Sequence, residues 1–240
     1  MSIKKLAELI NDSKNIVFFG GAGCSTESNI PDFRGNAGIY SSNYNSLSPE
    51  TILSKSFFEN NPEVFYDFYC KYLYFPDTKP NVTHYFLAEL ERMGKLKAII
   101  TQNIDGLHQL AGSKKVIELH GSCLFATCQK TGKIYTNEEY VKRGSIYSNE
   151  GGIIKPNIVL YQENLDQEVL EEAIKFIKEA DLLIIGGTSL VVSPAKYLIS
   201  YFRGKNKVIL NLTETPFDDY ADLVIHDKLG NIFSEVKKIL

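Results

Sequence analysis

Short, continuous apolar runs alternate along the chain with longer stretches whose apolar residues recur at helical spacing. The runs are NIVFF (15–19), KAIITQN (97–103), KVIELHG (115–121), DLLIIGGTSL (181–190), KVILNL (207–212) and ADLVIHD (221–227). Runs this short and this apolar predict strands covered on both faces. Residues 1–15 predict an amphipathic helix with Ile3, Leu6, Leu9 and Ile10 on one face. KPNVTHYFLAELERMG (79–94) predicts a helix that opens at Pro80 and stops at Gly94. DQEVLEEAIKFIKEA (166–180) carries Val169, Leu170, Ala173, Ile174 and Ile177 on one stripe. SPAKYLISYFRG (193–204) predicts a further helix, with Ser193 as cap, Pro194 in the first turn and Gly204 past the end.

Strands alternating with helices predict an α/β fold, a parallel sheet with helices on both faces. Two stretches break that rhythm. Residues 36–79 are rich in Tyr, Phe, Asn and Ser, and residues 124–155 are polar and turn-rich, ending in Gly151-Gly152. Both are expected to be insertions that form a smaller module within one domain spanning 1–240. The chain shows no internal repeat and no low-complexity tail.

Composition narrows the function classes. Of 240 residues, 44% are hydrophobic and 23% charged, ordinary values for a chain that buries a core. A net charge of −3 argues against a nucleic-acid protein, which shows a basic face. No apolar run approaches the ~20 residues of a membrane span, and residues 1–15 lack the unbroken apolar core of a signal peptide. The expectation is a cytoplasmic protein. Cys24, Cys70, Cys123 and Cys128 follow no disulfide rhythm and are expected to be free thiols. Cys24 falls at an expected helix N-terminus, where a thiol pKa can drop; a small buried residue beside the glycines is the favoured reading.

Polar residues cluster where the strands end. After the first run comes GGAGCSTESNIPDFRG (20–35), where a glycine-rich turn should hand over to a helix and offer N–H groups to an anion. Gly21-Ala22-Gly23 starts like a dinucleotide fingerprint, but Thr26 holds the third glycine position and no acidic ribose partner follows ~20 residues on. A hydride-transfer site is disfavoured; a nucleotide is not. TQNIDGLHQLAG (101–112) sets Gln102, Asn103 and Asp105 at a strand's carboxyl end, either as ligand contacts or as a polar turn satisfying its own backbone. His120 ends the next run, either as a hydrogen-bonded structural residue or, with its ordinary pKa of ~6.5, as a proton acceptor. Gly187, Thr188 and Ser189 end another.

GAGCSTESNIPDFRG (21–35), TQNIDGLHQLAG (101–112), ELHGS (118–122), PNIVLYQE (156–163), GTSLVVSP (187–194) and NLT (211–213) closely resemble, in order, the motifs of the sirtuins, NAD-dependent protein lysine deacylases. The resemblance spans nearly the whole chain. It implies a Rossmann-like sheet and NAD consumed as a co-substrate. By the match, Gly21, Ala22, Gly23 and Ser25 hold the pyrophosphate, and the loop of Asp32, Phe33 and Arg34 closes over the cofactor. Gln102, Asn103, Ile104 and Asp105 meet the nicotinamide ribose and carboxamide. Gly187, Thr188 and Ser189, with Asn211, Leu212 and Thr213, lie near the phosphates and the adenosine ribose. Asn103 and His120 are the implied catalytic residues, His120 as general base. Tyr66, Tyr69, Val159, Leu160 and Tyr161 are the implied contacts to an acyl-lysine protein or peptide.

Three departures from the family pattern stand out. Sirtuins usually hold a structural zinc on two C-x-x-C pairs, and here the four positions read Cys128, Thr131, Tyr147 and Glu150. The resemblance therefore implies a module without zinc. Gln162 replaces the usual glycine beside the acyl-lysine channel. The tyrosine and arginine that mark members removing acidic acyl groups read Tyr66 and Tyr69, which disfavours succinyl substrates. Two rival readings keep the same NAD site: a protein mono-ADP-ribosyltransferase, and an NAD sensor without turnover.

Overall fold

The computed structural model describes residues 2–32, 38, 39, 44, 46–193 and 195–240, with the backbone alone at 195 and 196. In chain order the elements are α1 (Ser2–Asp12), β1 (Ile16–Gly20), α2 (Pro49–Ile52), α3 (Lys55–Asn60), α4 (Pro62–Tyr72), α5 (Val82–Arg92), β2 (Leu96–Thr101), α6 (Leu107–Leu110) and β3 (Val116–Glu118). There follow β4 (Gly121–Cys128), β5 (Ile134–Thr136), α7 (Asn137–Lys142), β6 (Ile154–Ile158), α8 (Gln167–Glu179), β7 (Leu182–Gly186), β8 (Asn206–Leu210), β9 (Leu223–Ile225) and α9 (Leu229–Lys237).

All six apolar runs became the strands of one parallel sheet, in the order β3-β2-β1-β7-β8-β9. Side chains alternate across a strand, so β1 feeds two cores. Ile16 and Phe18 pack with α1, α5 and α9, while Val17 and Phe19 pack with α8 and the turns around Leu198 and Ile199. Each such buried side chain contributes roughly 1.5–3 kcal/mol. The doubly wound, Rossmann-like layering follows from that two-sided burial.

A third core lies beside the sheet. It gathers Phe58, Phe65, Tyr66, Phe68 and Tyr69 from the first irregular stretch and Tyr135, Tyr140, Ile146 and Ile154 from the second. The polar stretch contains strands that its turn-rich composition hid, for β4 pairs antiparallel with both β5 and β6. A capping box starts α7: Thr136 Oγ1 accepts from Glu139 N, and Glu139 Oε2 accepts from Thr136 N.

Two expected helices are corrected. The segment after Ser193 is a 3₁₀ helix, Ala195–Tyr201; Pro194 lies outside the described residues. Ser200 Oγ donates back to the Tyr197 carbonyl at 2.7 Å, a local bond that competes with α-helical pairing. The glycine turn after β1 runs into two 3₁₀ turns, Ala22–Cys24 and Thr26–Ser28, and Asn29 stops the second in the left-handed region. The expected helix N-terminus, with its dipole, is therefore absent there.

Candidate active site

Ligands of open α/β sheets bind outside the carboxyl ends of the strands, where the strand order reverses. Here that point lies between β1 and β7. Gly21 N donates to the Gly186 carbonyl at 3.2 Å, and Gly23 N to that of Gly187 at 2.8 Å. A Cβ on Gly21 would stand 2.7 Å from Thr188 Cβ, and one on Gly23 would stand 2.7 Å from Gly187 Cα. Gly187 has a φ of +61°. The glycines are needed because two strand-end turns touch backbone to backbone. Of the residues expected to hold the pyrophosphate, Gly21, Gly23 and Ser25 give their N–H groups to carbonyls within the protein, as does Cys24 between them. Cys24 is buried, and burial pushes its thiol up to about 12. That leaves it a packing residue rather than a nucleophile.

Beside this turn, the end of β2 builds a polar cluster. Ser25 Oγ donates to Asp105 Oδ2 at 2.6 Å, and Asn103 Nδ2 donates to Ser25 Oγ at 3.1 Å. The other Asp105 oxygen accepts the Leu107 N–H, which opens α6. Asn103 is buried and its own N–H is held by Thr101 Oγ1. Gln102 reaches across β1: its Nε2 donates to Thr188 Oγ1 at 3.1 Å. Thr188 Oγ1 also accepts the N–H of Leu190, a buried residue held at φ +55°. A non-glycine residue in that region is uncommon and marks a constrained turn.

His120 stands next in line. Its Nδ1 lies 2.9 Å from the Gln102 carbonyl oxygen, which only accepts, so Nδ1 carries the proton and the Nε2 lone pair is left basic. Burial lowers the His120 pKa and the carbonyl bond partly offsets that. The ring is therefore neutral at pH 7. A neutral imidazole with one fixed tautomer can take a proton at Nε2.

The remaining expected residues divide. Ile104 packs against the module core, and its carbonyl accepts the Cys123 N–H. Ser189 is exposed at the end of the β7 turn. Asn211, Leu212 and Thr213 follow β8 on the same sheet edge, and Leu210 accepts the Gly187 N–H at 3.0 Å. Val159 N donates to the His120 carbonyl, and Tyr161 is bridged to Ser54. Leu160 is buried in the module core. Gln162 occupies the left-handed region at φ +73°, where the family's glycine would be unstrained, and its Oε1 accepts the Ser56 N–H at 3.0 Å.

Tyr66 and Tyr69 are buried, with hydroxyls donating to the Val141 carbonyl and to Asn137 Oδ1. They lie inside the module rather than at the strand ends. Asp32 closes the described part of its loop, its carbonyl accepting from Ile39 N; Phe33 and Arg34 lie outside the described residues. The sequence reading passed over Leu190 and His226. The second had a signal, since VIHD is one more apolar run ending in polar residues.

A Sir2 family model matches residues 21–194. An NAD-dependent protein deacetylase of Clostridium acetobutylicum is 50% identical, covering 98% of this chain and 97% of its own. One of Clostridium perfringens is 53% identical, covering 98% of each. The chain belongs to the Sir2 family. A solved Sir2 variant with deacetylated p53 peptide and 3′-O-acetyl ADP-ribose superposes with a TM-score of 0.92 at 41% identity, covering 100% of this chain and 98% of the other. A Sir2 complex with p53 peptide and NAD gives 0.88 at 43% identity, covering 100% and 98%.

The Sir2 zinc can be tested against the module tip. Cys128 is buried, and its Sγ donates to Ser148 Oγ at 3.4 Å. Ser148 Oγ also accepts the Gly152 N–H at 3.0 Å, and Ser148 N donates to the Gly152 carbonyl at 2.7 Å. A Cβ on Gly152 would come within 2.6 Å of Cys128 Sγ. Backbone thus fills the space beside the single thiol. Among the described residues no group of three or more His, Cys, Asp or Glu could hold a metal. These residues do not fit a four-ligand zinc site.

Proposed function

We propose that this Sir2-family chain is an NAD-dependent protein lysine deacylase, acting on acetylated or other neutral acyl-lysine side chains. The observation that carries the reading is the neutral His120, its Nδ1–H fixed on the Gln102 carbonyl one strand from the Ser25–Asp105–Asn103 cluster. Relatives named NAD-dependent protein deacetylase, at 50% and 53% identity over nearly the full length, support it.

In this mechanism the acyl oxygen of the modified lysine attacks the anomeric carbon of the nicotinamide ribose. The C–N bond to nicotinamide breaks, and an ADP-ribosyl imidate forms. His120 Nε2 then takes the proton of a ribose hydroxyl as that oxygen attacks the imidate carbon. Water completes release of free lysine and acyl-ADP-ribose. Asn103 and Asp105, preset through Ser25, hold the ribose in a reactive pose, and proximity with exclusion of water supplies most of the rate. The peptide adds as an extended strand near Val159–Tyr161.

Acyl preference is inferred from the residue type at position 69, where the resemblance would place an arginine in members that remove acidic acyl groups. No arginine fork stands there to pair with a carboxylate, and the Tyr69 hydroxyl is already engaged by Asn137. The nearby Lys71 ammonium lies over the Tyr44 and Tyr72 rings, 5.6 and 5.2 Å from their centroids. An acidic acyl group would lose hydration without a partner. The module is proposed to stand without zinc, and the four free cysteines suit a reducing, cytoplasmic setting. No helix among the described residues is long and apolar enough to cross a membrane.

The test is an NAD-dependent assay over acetyl-, butyryl- and succinyl-lysine versions of one peptide, with products identified by mass. Free lysine plus acyl-ADP-ribose is expected, with acetyl well ahead of succinyl. ADP-ribose appearing on the peptide would favour the transferase rival. Desuccinylation as fast as deacetylation would remove the Tyr69 argument.

A further inference from the structure

The loop that follows β8 is held from the side by a residue outside the motifs. His226, directly after β9, places Nδ1 3.1 Å from the Asn211 carbonyl oxygen and Nε2 3.1 Å from Asp218 Oδ2. Carbonyl and carboxylate oxygens only accept, so an N–H on either ring nitrogen has a partner in place. Asp218 is the far end of the loop, where its carboxylate also takes Thr215 N at 3.2 Å and Thr215 Oγ1 at 2.5 Å. Asn211 is the near end. Its Nδ2 donates to the Thr213 carbonyl at 2.8 Å and its N–H to that of Ile225 at 3.2 Å. His226 therefore ties the two ends together.

Where the loop sits gives that tie a consequence. Leu210, the residue before Asn211, accepts the Gly187 N–H, so the loop hinges on the turn at which the strand order reverses. Leu212 projects from it with 61% of its surface exposed, an apolar face beside hydrogen-bonding groups. That combination suits a flat heterocycle joined to a sugar.

We propose that His226 is a positioning residue for the adenosine half of NAD, setting Asn211–Thr213 by gripping the Asn211 carbonyl and Asp218 at once. This rests on the NAD site of the preceding section and adds a residue that touches the loop rather than the ligand. Asparagine places its amide nitrogen near the position of Nδ1, and glutamine near that of Nε2. His226→Asn thus keeps the Asn211 bond, His226→Gln keeps the Asp218 bond, and His226→Ala keeps neither.

Calorimetric titration of the full chain with ADP-ribose is the experiment, alongside steady-state kinetics and melting temperatures. His226→Ala is expected to weaken ADP-ribose by about tenfold, the size of an ordinary hydrogen bond lost from the loop. His226→Asn and His226→Gln should fall between it and the wild type. The kinetic loss should appear in KM for NAD, with kcat and the peptide KM little moved. ADP-ribose bound by His226→Ala as tightly as by the wild type overturns this proposal alone, as does a loss confined to kcat. A wild-type chain that does not bind ADP-ribose overturns it together with the NAD site.

Discussion

One hydrogen bond at His120 decides which nitrogen does chemistry and in which state. Because the Gln102 carbonyl fixes the Nδ1 proton, His120→Ala removes the base without disturbing the Ser25–Asp105 contact. Deacylation is expected to fall by ~10²–10⁴, while NAD affinity stays near that of the wild type. Near-normal turnover in the variant would take His120 out of the mechanism. The pH profile adds a second check. Burial lowers the His120 pKa from the ordinary 6.5, and the base works only when neutral. Rate should therefore hold down to pH 6.5 and fall below it as the ring protonates. An acid limb centred above pH 7 would contradict the burial seen here.

At the scale of elements, the contact between the turns after β1 and β7 shapes the site more than any helix does. Gly187 and Gly94 offer a matched pair. Both have positive φ, but a Cβ on Gly187 would lie 2.6 Å from Cys24 N, whereas one on Gly94 meets nothing within 4 Å. Gly94→Ala should cost only the left-handed backbone term, about 1–2 kcal/mol. Gly187→Ala must also force the turns apart, so a larger loss is expected, on the order of 3 kcal/mol or more, with ADP-ribose affinity lost as well. Urea midpoints at unchanged slope measure the difference. Equal losses would mean that the close approach of the turns contributes little.

For the whole molecule, two features predict how it fails. His84 and His108 are buried with ring centroids 4.7 Å apart, joining α5 to α6. Burial lowers His84 to about 4 and His108 to about 3, from 6.5. Between those values the unfolded chain binds more protons, so stability is full above pH 6.5 and drains as pH falls toward 3. The melting temperature should drop steadily below pH 6.5, and less steeply in a His84→Gln/His108→Gln double variant. Melting that stays level from pH 6.5 to 4.5 would refute the assignment. The module tip, closed by Cys128, Ser148 and Gly152, predicts no response to a chelator. Near-stoichiometric zinc in the purified protein, with unfolding on its removal, would overturn the zinc-free reading.

Periodicity was enough to place all six sheet strands and the α1, α5 and α8 helices, because two-sided burial leaves an unbroken apolar run and one-sided burial leaves a stripe. It also located the polar strand ends of the candidate site, since a ligand at a sheet edge needs donors and acceptors where the apolar run stops. Strands β4 to β6 were not legible: with one face toward solvent and turns between them, their composition reads as loop. Nor could local pattern foresee the 3₁₀ turns after β1, because Gly23 gives its N–H to Gly187, a partner 164 positions away in the chain. The inward turn of Tyr66 and Tyr69, the tautomer of His120 and the grip of His226 share that cause. Each depends on which carbonyl or carboxylate the fold brings within 3 Å or so, and sequence spacing does not contain that distance.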